Sequence, residues 1–187
     1  MVQTPVQPLT LAAFLGLPET KPASEFIEGQ IFQKPMPQGK HSSIQTELAA
    51  LINQCLRQRR MGRAFTELRC TFGGRSIVPD IAVFEWSRIV RDGNGEVANE
   101  FNCVPDWPIE ILSPQQSQTR VTKKLLSCLA VGAQLGWLID PAERTVLVYG
   151  AGGQVWLLDE AEQRLPVPEF AEAVELTVAG VFGVLLD

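Results

Sequence analysis

The chain has 187 residues, of which 45% are hydrophobic, 16 are Lys or Arg and 21 are Asp or Glu, so its formal net charge is −5. This length suits one domain with its own hydrophobic core, and we expect a single domain over residues 1–187. The negative charge excludes a general attraction to nucleic acids or anionic membranes, so any nucleic-acid site must be a local patch.

Neither a membrane segment nor a disulfide framework is indicated. The N-terminal stretch MVQTPVQPLTLAAFLGLPE lacks a basic leading part, and prolines interrupt its short apolar run, so it does not predict a signal peptide. No stretch approaches the roughly 20 apolar residues of a membrane-spanning helix. The four cysteines are widely spaced without a CxxC pair, which argues against a zinc site. We therefore expect a cytoplasmic protein.

The N-terminal third predicts a short helix, a hairpin and a long helix. Thr10 is a candidate N-cap for a helix that runs through Leu15. The stretch EFIEGQIFQKP predicts two short strands joined at Glu28-Gly29. From His41 onwards, apolar residues recur at helical spacing, which predicts a long helix with one buried face.

The remainder of the chain predicts strands separated by two helices. The alternating stretch RAFTELRCTFGGRSIVPDIAVFEW predicts consecutive strands, and PDWPIEILSP predicts another after a polar loop. A helix from about Ser117 to Val131 follows, then three strands in LGWLID, RTVLVYG and GQVWLLD, and a closing helix capped by Thr177. This order indicates an α/β or α+β domain with a mixed β-sheet flanked by helices.

Two of the predicted strands carry an acidic residue where a buried strand should be apolar. Glu110 stands between Ile109 and Ile111, and Asp80 precedes the strand IAVF. A buried carboxylate is costly unless it is protonated, paired, bound to a metal or close to an opening. If the two strands are neighbours, both acids can coordinate Mg²⁺ together with a backbone carbonyl and waters. A purely structural interpretation stays open, in which Asp80 caps a turn and Glu110 pairs with an arginine.

Three further residues are candidates for the same chemistry. His41 is the only histidine, and its ordinary pKa near neutrality suits proton transfer. Glu47, on the predicted long helix, and Glu28, in the hairpin, could add a third acid to a metal shell. The competing interpretation of His41 is that it starts the helix and has no chemical role. The competing interpretation of each glutamate is that it is a solvated surface acid.

The end of the predicted long helix is basic. Its stretch RQRRMGR holds four arginines, Arg57, Arg59, Arg60 and Arg63. The planar fork of arginine suits phosphate oxygens, which favours a nucleic-acid contact. Cations near a helix C-terminus also interact favourably with the helix dipole, so a solvated helix end explains the same run.

Several motifs occur together in one order: FIEGQIFQKPMPQGKHS, then VPD, IEILSP, a helix with lysines, GWLIDP and VLVY. With this set the chain resembles the Uma-type restriction endonuclease family, a branch of the PD-(D/E)XK nuclease superfamily. The resemblance implies a restriction-endonuclease-like core in which Asp80 and Glu110 are the metal ligands. It further implies Mg²⁺, with Mn²⁺ as a substitute, and hydrolysis of phosphodiester bonds in DNA. We expect a homodimer acting on duplex DNA, since cutting two strands requires two active sites.

One position departs from the superfamily pattern. The E-x-K motif places a lysine two residues after the glutamate, and here Leu112 occupies that position. The resemblance implies that a basic residue of the following helix performs the role of the motif lysine. The candidates are Arg120, Lys123 and Lys124. On a helical wheel Lys124 lies roughly 85° from the centre of the apolar face, Arg120 roughly 125° and Lys123 roughly 175°. We therefore assign the catalytic lysine to Lys124.

Two functions from different classes follow. The first is a Mg²⁺-dependent DNA endonuclease, which the intact acid pair favours. The second is a catalytically silent nuclease-fold module for nucleic-acid binding or protein interaction, which the net acidity and the displaced lysine favour. A cysteine hydrolase using His41 lacks any local nucleophile signature.

Overall fold

The computed structural model describes residues 9–114 and 116–186, and the bounds below refer to those ranges. The helices are α1 (Leu11–Leu15), α2 (Gly39–Leu56), α3 (Gln118–Leu129) and α4 (Val178–Gly183). The strands are β1 (Ser24–Ile27), β2 (Gln30–Gln33), β3 (Gly62–Thr66), β4 (Cys70–Phe72), β5 (Arg75–Ile77), β6 (Ile81–Glu85), β7 (Trp107–Ile111), β8 (Leu135–Asp140), β9 (Thr145–Gly150) and β10 (Val155–Leu158). None of the described helices is long and apolar enough to cross a membrane.

The local signals in the sequence correctly mark the start of α1, the β1–β2 hairpin turn and the start of α4. The Thr10 hydroxyl accepts a hydrogen bond from the amide of Ala13 at 3.1 Å, and the Thr177 hydroxyl accepts one from the amide of Gly180 at 3.2 Å. Each hydroxyl satisfies an amide that the first helical turn leaves without a partner. In the hairpin turn, Glu28 and Gly29 both have positive φ angles, 51° and 78°, which match the twist of the flanking strands.

The strands form two sheets. The larger one has the order β10-β9-β8-β7-β6-β3, with β7 and β8 parallel and the other neighbours antiparallel. It is the mixed sheet flanked by helices that the sequence predicts. The smaller sheet has the order β2-β1-β5-β4, and its division from the larger sheet was not predicted. Strand patterns specify which residues are extended but not which distant strands pair.

The two faces of strand β7 meet different helices. Ile109 and Ile111 belong to the large core that includes the apolar face of α2. Glu110 points to the opposite face, where its neighbour Leu138 on β8 packs with Leu125 of α3. Alternation along a single strand thus directs the glutamate towards α3.

Candidate active site

Asp80 lies just before β6 and is 2% exposed. Its Oδ1 accepts a hydrogen bond from Lys34 Nζ at 2.7 Å, and its Oδ2 accepts one from the amide of Ile111 at 2.7 Å. His41 Nε2, from the first turn of α2, lies 3.1 Å from the same Oδ2. Because Ile111 directly follows Glu110, the amide contact holds the two acids side by side at adjoining strand ends.

Glu110 is 2% exposed and faces Lys124 of α3. Lys124 Nζ lies 2.7 Å from Glu110 Oε1, an ion-pair distance, although the two groups are not aligned as a hydrogen bond. The same ammonium donates a hydrogen bond to Glu25 Oε1 at 2.9 Å, and the amide of Val78 also donates to that oxygen at 2.8 Å. Lys124 therefore links a strand of each sheet.

Two of these residues, Lys34 and Glu25, were not among the sequence candidates. Lys34 follows β2 and donates hydrogen bonds to Glu67 Oε1 and the Val78 carbonyl, both at 2.9 Å, besides Asp80. Glu25 lies on β1 and is 6% exposed. The position of Glu25 did carry a signal, an acid beside apolar residues in a predicted strand, which is the pattern that identified Glu110. Nothing local distinguishes Lys34 from a surface lysine.

Burial and neighbouring charges shift the pKa values of the two central acids in opposite directions. Burial alone would raise the pKa of Asp80, but the charge of Lys34 and the hydrogen bond from His41 hold it well below its ordinary value. Burial raises the pKa of Glu110; Lys124 opposes this, while Asp80 and Glu25 add to it, and the pKa reaches about 8. Asp80 is therefore ionised at neutral pH, and Glu110 ionises readily only when more positive charge is nearby.

Both lysines retain their charge in this site. Burial would lower the pKa of each ammonium. At Lys34 the combined charges of Asp80, Glu110 and Glu67 outweigh burial, and at Lys124 those of Glu110, Glu25 and Asp80 do, so both pKa values lie above the ordinary lysine value.

These shifts predict different stabilities for variants of the two acids. Because the folded pKa of Asp80 is depressed, its ionisation stabilises the fold above about pH 4, and this contribution is lost as the pH falls further. Asp80→Asn should therefore lower the free energy of unfolding at neutral pH by about 1–3 kcal/mol. Urea denaturation of the variant and the wild type measures this, and equal stabilities at neutral pH would contradict it.

The ionisation of Glu110 affects the stability of the fold in the opposite direction to that of Asp80. The folded pKa of Glu110 is raised, so its ionisation costs stability as the pH rises from about 4.3 to about 8. Glu110→Gln should therefore gain stability relative to the wild type as the pH rises across this window, by about 1 kcal/mol or more. Urea denaturation of both proteins at the two ends of the window tests this, and a pH-independent difference would refute it.

The donor chemistry of the site fits a hard divalent cation. Carboxylate oxygens of Asp80 and Glu110 are the ligand type that Mg²⁺ and Mn²⁺ prefer. Within the described ranges no group of three or more His, Cys, Asp and Glu is arranged to hold an ion. Two carboxylates suffice for Mg²⁺, which is commonly completed by waters and substrate phosphates. The ammonium groups of Lys34 and Lys124 contact these oxygens and supply the positive charge that a divalent ion would bring.

A cleft leads to this cluster. A cavity of about 470 Å³ is lined by Asp80, Lys34, His41 and Arg69, among others. A second cavity of about 580 Å³ shares His41, Ser113 and Gln116 with it and continues past the first turn of α2. Asp80 is therefore reached from an open groove, and Glu110 lies directly behind it, buried next to Lys124.

The structure places the remaining basic and acidic candidates outside the cluster. Lys123 and Arg120 are exposed on α3, and the Arg120 guanidinium lies 4.6 Å from the centre of the Phe32 ring. Lys124, by contrast, is 4% exposed, so α3 has the phase expected from its apolar spacing. Glu28, in the hairpin turn, and Glu47, on α2, are exposed and take part in none of the contacts described above.

The arginine run lies at the far end of the large sheet from Asp80. Gly62 at the start of β3 pairs with Glu85, whereas Thr66 at its end pairs with Ile81 beside Asp80. Between the run and the first turn of α2 stands an 18-residue helix, about 27 Å long. Three of the arginines, Arg57, Arg59 and Arg60, are exposed, and the half-buried Arg63 stacks over Phe65. The run cannot touch a phosphate that contacts Asp80.

Neutralising the exposed part of this run tests its separation from the site. We expect the triple variant Arg57→Ala/Arg59→Ala/Arg60→Ala to keep its single-turnover cleavage rate at saturating DNA within about threefold of the wild type, since these residues lie far from the reacting phosphate. A loss of rate at saturation far beyond this would show that the run contributes to the chemical step.

Comparisons with known proteins agree with this architecture. The model of the Uma2 family, described as "Putative restriction endonuclease", matches residues 11–179. The crystal structure of "a putative nuclease belonging to DUF820" from Anabaena variabilis has 58% sequence identity to this chain and a TM-score of 0.93. That match covers 95% of this chain and 99% of the other. No curated protein matches the chain. With the family model spanning nearly all of its elements, the chain belongs to the Uma2 family.

Proposed function

We propose that this protein is a divalent-metal-dependent endonuclease that hydrolyses phosphodiester bonds in DNA. The observation that carries the proposal is the cluster of Asp80, Glu110 and Lys124 in one buried site beside an open cleft. Membership of the Uma2 family and the similarity to a protein described as a nuclease support the same reaction class.

In this proposal Asp80 and Glu110 hold the cation, and His41 and the Ile111 amide fix the orientation of the Asp80 carboxylate. When bound, the ion would lower the pKa of a nearby water and stabilise negative charge on phosphate oxygens. Lys124, anchored by Glu25, holds its ammonium beside Glu110, where it can orient the attacking water or offset charge on the phosphate. Lys124 thereby performs the role of the E-x-K motif lysine, whose position Leu112 occupies in this chain.

DNA as the substrate, duplex as its form and a homodimer as the active assembly are parts of the same proposal. Cleavage of both strands of a duplex requires two active sites, which a twofold dimer supplies. Sedimentation of the purified protein with and without duplex DNA tests the assembly, and a monomer in both samples would contradict it.

A catalytically silent module is the second candidate. Leu112 replaces the motif lysine, and each acid of the pair is in contact with an ammonium group, so the same site could serve as a charge-balanced structural cluster. This alternative keeps the fold and the cleft but predicts no turnover.

The deciding experiment offers labelled duplex DNA, single-stranded DNA and RNA of one sequence to the purified protein with Mg²⁺, Mn²⁺ or EDTA. We expect cleavage of duplex DNA with either metal and none with EDTA. Absence of cleavage of all three polymers would favour the silent module, cleavage of RNA alone would change the substrate class, and cleavage in EDTA would contradict the metal dependence.

A further inference from the structure

The ammonium of Lys34 has an acceptor for each of its three N–H donors, and one of these acceptors is Asp80. The Lys34 side chain is 8% exposed, and its ammonium contacts three oxygens: Asp80 Oδ1 at 2.7 Å, Glu67 Oε1 at 2.9 Å and the Val78 carbonyl at 2.9 Å. The shortest of these contacts is with a carboxylate that would bind the metal. A cation bound there competes with Lys34 for the same oxygen.

In the free protein, the charges around the site favour Lys34 over a divalent ion at Asp80. Lys34 and Lys124 already contact Asp80 and Glu110, so a divalent ion would add two positive charges beside two ammoniums. Repulsion between such close charges is only partly screened in a buried site. A phosphate group of the substrate would bring the negative charge that balances them.

We propose that Lys34 acts as a cation placeholder: in the free protein its ammonium occupies the metal side of Asp80, so that divalent ions bind well only together with substrate phosphate. The inference rests on the proposed metal site and adds its regulation by substrate. Lys34 is thereby a positioning residue for the metal, acting through Asp80.

Lys34 keeps two other acceptors when its ammonium leaves Asp80. Two of its three acceptors, Glu67 and the Val78 carbonyl, do not depend on Asp80. The Glu67 side chain is 41% exposed, so it has room to follow the ammonium. Lys34 and Asp80 also line the same open cavity, which lets a phosphate approach both.

The test measures Mn²⁺ binding to the full-length protein by electron paramagnetic resonance and calorimetry, without nucleic acid. We expect Lys34→Met to bind Mn²⁺ about tenfold or more tightly than the wild type, because one competing positive charge beside Asp80 is gone. Lys34→Gln, which retains hydrogen-bond donors for the buried acceptors, should also bind Mn²⁺ more tightly than the wild type. Thermal unfolding of each variant verifies that it is folded.

Lys21→Met is the matched control, since Lys21 is exposed and lines the same cavity without contacting Asp80. It removes one charge from the cleft but leaves the Asp80 contact intact, and its Mn²⁺ affinity should stay near that of the wild type. Equal tightening in Lys21→Met and the Lys34 variants would overturn the inference in favour of a general charge effect.

A second measurement adds a duplex whose phosphorothioate linkages resist cleavage. The wild type should bind Mn²⁺ much more tightly with this duplex than without it, and the Lys34 variants should depend on it far less. If the wild type and the folded Lys34 variants bind Mn²⁺ equally, the placeholder is refuted while the metal site stands. If no protein binds Mn²⁺ under either condition, the inference fails, and the cleavage assay above decides independently whether the nuclease proposal fails with it.

Discussion

We expect Asp80→Asn and Glu110→Gln each to reduce metal-dependent cleavage by about 10³-fold or more, the scale on which removal of a central charged group acts. Each substitution removes one anionic ligand from a pair that the Ile111 amide holds together. The amides are close in size to the acids, so the shape of the cleft is retained. Cleavage of labelled duplex DNA at fixed Mg²⁺ measures the loss.

Exposed acids supply the matched controls for this prediction. Glu28→Gln and Glu47→Gln change the same charge on the surface, where the structure shows no contact with Asp80 or Glu110 among the described residues. Both should cleave at nearly the wild-type rate. Wild-type cleavage by folded Asp80→Asn or Glu110→Gln would refute the assignment of the acid pair, and loss of cleavage in Glu47→Gln or Glu28→Gln would restore that acid as a candidate ligand.

The second large effect concerns Lys124. Lys124→Ala should lower the cleavage rate by about 10²–10⁴-fold, as loss of a positioned proton-transfer or charge-stabilising group does. Because Lys124 is buried between Glu110 and Glu25, the alanine also leaves two carboxylates without their cation. Lys124→Met, which retains the bulk of the side chain, and thermal unfolding of both variants separate lost chemistry from lost folding.

Two other basic residues on α3 serve as controls for the Lys124 variants. Lys123→Ala should be nearly silent because Lys123 is exposed on the opposite side of the helix. Arg120→Ala should be intermediate through a weakened phosphate contact, since its guanidinium lies over Phe32 on the exposed side of α3. An inactive Lys123→Ala variant beside a fully active Lys124→Ala variant would exclude Lys124 as the catalytic lysine.

The part of the site that could be predicted depends on local periodicity. Alternation along β7 places Glu110 on the face opposite Ile109 and Ile111, and the apolar spacing of α3 turns Lys124, but not Lys123, towards the sheet. Both are properties of a single element. They could therefore be derived without knowledge of any partner.

The part that could not be predicted depends on contacts between distant segments. Lys34 meets Asp80 across 46 residues, and Glu25 meets Lys124 across 99. Both long-range contacts arise because the smaller sheet brings β1 and the end of β2 against the acid pair, and the pairing of β1 with β5 has no local signature. Consequently the sequence predicted one lysine in a site that contains two.

The most direct test of the account is single-turnover cleavage of labelled duplex DNA by the wild type and Glu110→Gln, purified in parallel and assayed with Mg²⁺ or EDTA. We expect the wild type to cleave with Mg²⁺ but not with EDTA, and the folded variant to cleave about 10³-fold or more slowly with Mg²⁺. Equal rates for the two proteins, or a wild-type rate that EDTA leaves unchanged, would contradict a metal-dependent nuclease centred on Asp80, Glu110 and Lys124.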